Sequence, residues 1–163
     1  MTASVERRSA ERPAREIRHR AREAAVQMLY QWEIGRLSVP EVADSFWRIG
    51  DTDVELPERV RERASALVAG TVAALPAIDP LIEEASKHWR LERMPVLDRL
   101  VLRLALYELL REPSTPGAVV IDEALELTRR FSTEEAVPFV NGVLDAVKRR
   151  IERGEIAAGP IPS

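Results

Sequence analysis

Arginine side chains crowded into a short stretch can neutralise a polyanion, and residues 7–22 hold seven arginines against two glutamates. That local charge of +5 stands in a chain of 163 residues with a net charge of −3, so the remainder carries −8. The asymmetry describes a basic arm on an acidic body and points towards an anionic partner. Arginine supplies 22 of the 24 basic residues, so its abundance alone signals nothing and the clustering is the informative part. Arg15, Arg18 and Arg22 lie along one flank of an apolar helical stripe, with Arg20 between them in sequence and His19 and Tyr30 farther round the same side. Single-stranded RNA is held by cations along its backbone and by aromatic or guanidinium planes stacked on its bases, and residues 15–30 offer both. A solvated helix face with Glu11, Glu16 and Glu23 as internal partners accounts for the same residues, so composition leaves the two readings open.

Other chemistries fare worse. The chain has two histidines, no cysteine, no Gly-x-Ser-x-Gly elbow and no phosphate-cradling glycine loop, which argues against an enzyme. Glu16 and His19 have the Glu-x-x-His spacing of carboxylate-bridged metal bundles, but the spacing has no second copy, since Ala85 stands three residues before His88. Neighbouring arginines would also repel a dication, so no metal and no cofactor is expected. The acidic pairs Glu83-Glu84, Asp122-Glu123 and Glu134-Glu135 point about 100° apart on helices and make poor acid/base pairs.

The elements that position these residues read as all-α. Eleven prolines fall at or near the edges of periodic segments, and no alternating run is bounded by hairpin turns. Helices are expected over about 14–34, 40–49, 57–75, 80–90, 95–112, 118–131 and 134–152. Residues 1–12 lack a stripe and are expected to form a disordered basic arm, 13–153 a single helical domain and 154–163 a flexible tail. The helix from Pro95 is apolar on most of its circumference, with Leu97, Leu100, Val101, Leu104 and Leu109 on one side and Leu102, Leu106 and Leu110 on the other. Neighbours must therefore cover it from two directions. Asp98, Arg99, Arg103 and Glu108 form its narrow polar strip, expected to be a solvated seam or a partner-facing edge. Ser38 with Glu41, and Ser132 with Glu135, have capping-box spacing. Gly142 inside the last helix costs about 1 kcal/mol relative to alanine, and close helix contact is the expected reason. No run approaches the ~20 apolar residues of a membrane span, so no membrane association is expected. With no cysteine and no signal-peptide pattern, a cytoplasmic location is expected.

Three segments carry a resemblance. Trp89-Arg-Leu-Glu-Arg-Met-Pro-Val-Leu-Asp-Arg-Leu-Val-Leu-Arg-Leu-Ala-Leu-Tyr-Glu-Leu-Leu110 resembles the signature helix of the bacterial transcription antitermination NusB family. Arg18-His-Arg-Ala-Arg-Glu-Ala-Ala-Val-Gln-Met-Leu-Tyr-Gln-Trp32 looks like the family's first helix. Val119–Phe131 followed by Phe139–Asp145 looks like its last pair, and order and spacing hold over about residues 15–150. The resemblance implies a NusB-like bundle of about seven helices, two packed three-helix groups plus an extra helix. It implies a non-catalytic function: binding the boxA RNA of ribosomal RNA transcripts together with the ribosomal protein NusE, so that RNA polymerase, contacted indirectly in its elongation complex, resists termination. Arg18, Arg20, Arg22 and Tyr30 match the family's RNA-contacting positions, and His19 stands where another basic residue is often found. Glu135 and Phe139 are further candidates for the RNA face, although Phe139 also fits the inward side of its helix. Glu92, Asp98 and Arg99 match charged positions implied in NusE docking, and a homodimer through apolar surface is a further possibility. The rival readings are a module associated with a ribosomal RNA methyltransferase and a helical scaffold that binds protein only. Direct RNA binding separates the last of these from the first.

Overall fold

Apolar stripes at helical spacing resolve into six α-helices among the described residues, 2–49, 57–87 and 89–160 of the computed structural model. They are α1 (Thr2–Gly35), α2 (Val39–Ile49), α3 (Glu58–Ala85), α4 (Val96–Arg111), α5 (Gly117–Phe131) and α6 (Val137–Glu152). Short 3-10 turns at Leu91–Arg93 and Glu134–Ala136 lead into α4 and α6, and there is no strand among the described residues. The chain divides into two compact units, residues 1–69 and 70–163, with the division inside α3.

In the first unit, α1 contacts α2. The stripe expected on α1 is its buried face: Ala21, Ala24, Ala25, Met28 and Leu29 are all buried. The helix begins at Thr2 rather than near 14, so the stretch expected to be disordered is helical from residue 2 onward. Residues 2–12 are rich in alanine, arginine and glutamate, whose intrinsic helix preference needs no apolar stripe. The capping box of α2 forms as its spacing requires: the Ser38 N–H donates to Glu41 Oε2 at 2.9 Å and the Glu41 N–H to Ser38 Oγ at 3.3 Å.

The two helices expected at 57–75 and 80–90 are one, because neither Pro76 nor Pro80 breaks α3. The prolines sit four residues apart on one exposed row, so the backbone carbonyls they deprive of donors lie on the solvent side, where water can serve them. Val60, Ala64, Leu67, Val68, Thr71, Ala74, Ile78 and Ile82 are buried at helical spacing along the same helix. Contrary to the expectation from sequence, α3 is long and apolar enough to cross a membrane by length and composition. Ala66, Ala69, Ala73 and Ala77 are exposed on the side of α3 opposite the buried stripe, so these small apolar side chains and the large buried ones divide between its two faces.

In the second unit α4, α5 and α6 pack against one another. Leu100, Val101, Leu102, Leu104 and Leu106 of α4 are each no more than 1% exposed, so this helix is covered on both sides as its composition requires. The polar strip on α4 is not a solvated seam. Asp98, Arg99, Arg103 and Glu108 are all buried. Internal partners explain how they tolerate burial: Arg103 Nε and Nη2 each donate to Asp79 at 3.0 Å in a bidentate pair, Arg99 Nη1 donates to the Leu91 carbonyl at 2.8 Å, and the Ser132 hydroxyl donates to Asp98. Because Ser132 is used there, the cap before α6 falls to Thr133, whose side chain accepts from the Ala136 N–H at 3.2 Å. The tail is also less free than expected. Gly154 at φ +74° lets its N–H reach the Ile151 carbonyl and the Glu155 N–H the Arg150 carbonyl, a Schellman closure of α6. Farther on, the Gly159 N–H caps the Leu110 carbonyl at 2.8 Å; residues 161–163 lie outside the described residues.

Gly142 does not mark a helix contact, since a Cβ there would meet nothing within 4 Å. The close approach is at Gly70, where a Cβ would lie 2.7 Å from Tyr107 Cε2 and closer still to Cζ and the hydroxyl. Gly70→Ala should therefore destabilise the protein by about 1–2 kcal/mol in denaturant unfolding, overpacking outweighing the better helix propensity. Stabilisation by the same change would show that the Tyr107 ring swings aside without loss.

Candidate nucleic-acid interface

Burial of one α1 face fixes which of its cations remain available. Arg15 and Arg18 are exposed, and Arg20 is half-buried. Among the described residues none of the three forms an ion pair. Tyr30, 43% exposed, lies three to four turns farther along the same helix. His19 is paired with Glu23 at 2.6 Å, which offsets its charge when it is protonated. Arg22 departs from the strip: it is 3% exposed, so it belongs with the buried residues of the helix and not with its solvent edge. Periodicity had put it on the flank of the stripe, where a long side chain can turn either way.

The remaining candidates lie in the second unit. Glu135 is exposed in the 3-10 turn before α6. Phe139, on the first turn of α6, is half-buried and meets the Trp89 ring edge-on, with centroids 5.1 Å apart and planes at 64°. Trp89 itself was not singled out from sequence, although it follows Lys87 and precedes Arg90 and Arg93, the interleaving of cation and aromatic that marked α1. Of the docking candidates at the start of α4, Glu92 is exposed, whereas Asp98 and Arg99 face inward on Ser132 and the Leu91 carbonyl.

The described residues form a helical module whose first helix exposes cations and an aromatic, and comparison with known proteins says which helical class it is. The model of the NusB family matches residues 19–149. Transcription antitermination protein NusB of Solibacter usitatus (strain Ellin6076) is 48% identical over 134 residues, 82% of this chain and 90% of that protein. Its namesake from Sorangium cellulosum (strain So ce56) is 46% identical over 136 residues, 83% of this chain and 94% of that protein. Among solved structures, T. maritima NusB has 36% identity and a TM-score of 0.71, covering 85% of this chain and 97% of that one. A structure of antitermination factors NusB and NusE in complex with dsRNA has 26% identity and a TM-score of 0.70, covering 82% and 97%. The chain belongs to the NusB family.

Proposed function

We propose that this chain is a transcription antitermination factor that acts by binding and not by catalysis, holding boxA RNA of ribosomal RNA transcripts along α1 together with NusE in the cytoplasm. Exposure of Arg15 and Arg18 without ion-pair partners among the described residues is the observation that carries the α1 assignment. Exposed cations can release counterions from a phosphate backbone, and Tyr30 supplies a face for an unstacked base. The antitermination role is supported by the names of the relatives, and the RNA and NusE assignments by the solved complex of NusB, NusE and dsRNA.

A binding titration with a boxA-like single strand, a scrambled strand and a duplex tests the reading. Wild type should prefer the boxA-like strand. Arg15→Ala/Arg18→Ala should weaken binding while leaving the melting curve unchanged, and lower the log–log salt slope by about 1.4, from ~0.7 per phosphate on a single strand. An unchanged slope would place the RNA away from α1. Absence of RNA binding with NusE present would favour the protein-only scaffold.

A further inference from the structure

We infer that the loop between α3 and α4 is a second single-stranded RNA contact, in which Trp89, braced on Phe139, stacks on an unpaired base while Lys87, Arg90 and Arg93 meet its flanking phosphates. The inference rests on the proposed RNA-binding function and adds a site within the second unit.

Trp89 is 42% exposed, an uncommon position for the largest apolar side chain, and its outer surface has no ring partner among the described residues besides Phe139. The Trp89 main chain is tied to the end of α3, its backbone N–H donating to the Ser86 carbonyl at 3.2 Å and its carbonyl accepting from the Ser86 hydroxyl at 3.3 Å, and Phe139 packs edge-on against the indole ring. A preset aromatic face costs little ordering when a base lands on it. Lys87, Arg90 and Arg93 are all exposed, and none forms an ion pair among the described residues. Arg90 immediately precedes the 3-10 turn and Arg93 ends it, the Arg93 N–H donating to the Arg90 carbonyl at 3.0 Å, so the turn holds the two cations three residues apart on one short loop. Glu92 is the one acidic side chain in 87–93, so the loop is cationic within a chain whose residues outside the arm are acidic. Three exposed cations with no ion pair among the described residues, flanking an exposed indole in sequence, fit a polyanion with stackable faces better than an apolar protein surface, which would leave the cations unmatched.

The experiment measures RNA affinity of the full chain with the boxA-like strand, with and without NusE, for wild type, Trp89→Ala, Trp89→Phe and Lys87→Ala/Arg90→Ala/Arg93→Ala. Trp89→Ala should lose on the order of tenfold in affinity, Trp89→Phe should retain most of it, and the triple variant should lower the salt slope by about 2. All four substituted positions are exposed, so melting temperatures should stay near wild type, and the triple variant gives a readout even if Trp89→Ala unfolds. Wild-type affinity and slope in both Trp89→Ala and the triple variant, alongside weakened binding in Arg15→Ala/Arg18→Ala, would overturn this inference alone. Loss of NusE affinity with RNA affinity intact would overturn it in favour of protein docking at the loop. If wild type binds no RNA, the underlying functional reading falls first, and this one with it.

Discussion

Leu104→Ala should cost about 2–5 kcal/mol of stability, because it removes a side chain that is 1% exposed from a helix covered on two sides. Leu100 and Val101 precede it and Leu106 follows, each fully buried, so the surroundings cannot close over the void without shifting other packed groups. A native domain of this kind is stabilised by only ~5–15 kcal/mol, so the change removes a large share and should lower the urea midpoint without altering the slope. Leu104→Met, which conserves volume, should cost less than about 1.5 kcal/mol. A loss below half a kcal/mol for the alanine variant would mean that α4 is not the centre of the second unit.

Burial of that helix was legible because its composition permits nothing else: a helix apolar on both sides has to be enclosed. The same pattern could not say what becomes of the few polar side chains on it. Asp98, Arg103 and Glu108 read as a solvent seam by type, and their burial depends on partners distant in sequence, with Asp79 24 residues from Arg103 and Ser132 34 residues from Asp98. Pair interactions across such separations leave no local periodic signal. Pro76 and Pro80 misled for a related reason, since a proline inside a helix is tolerated where the carbonyl it displaces and leaves without a donor faces solvent, and the facing of residues 76 and 80 is set by packing elsewhere on α3. On α1 the cationic character of the edge was legible from clustering, but the choice between Arg18 outside and Arg22 inside was not, because the long three-methylene stem of arginine lets its guanidinium cross the boundary of a stripe. Trp89 gave no such signal because the pattern places it at the end of a helix over 80–90, and only the stop of α3 at Ala85 leaves it in a loop with its ring on Phe139.

Asp98→Arg separates packing from docking at the start of α4. Asp98 is 4% exposed and accepts from the Ser132 hydroxyl, so replacement by a longer cation strands a buried charge and removes that partner. We expect a loss of at least about 3 kcal/mol, as when one member of a buried polar pair is replaced. Any failure to bind NusE would then report unfolding rather than a lost contact. Glu92→Arg makes the clean test, because Glu92 is exposed in the 3-10 turn and has no hydrogen bond or ion pair among the described side chains. Surface substitutions of that kind shift stability within about half a kcal/mol. If NusE docks beside this turn, Glu92→Arg should weaken NusE binding several-fold with an unchanged melting curve. By linkage, whatever factor NusE contributes to RNA affinity must equal the factor that RNA contributes to NusE affinity, a tenfold effect corresponding to about 1.4 kcal/mol. Measured in a four-corner cycle, Glu92→Arg should lower NusE affinity equally with and without RNA, since the residue lies outside the proposed phosphate contacts. Unchanged NusE affinity would move the docking surface away from this turn. A loss seen only with RNA bound would mean that Glu92 acts on the coupling and not on the dock.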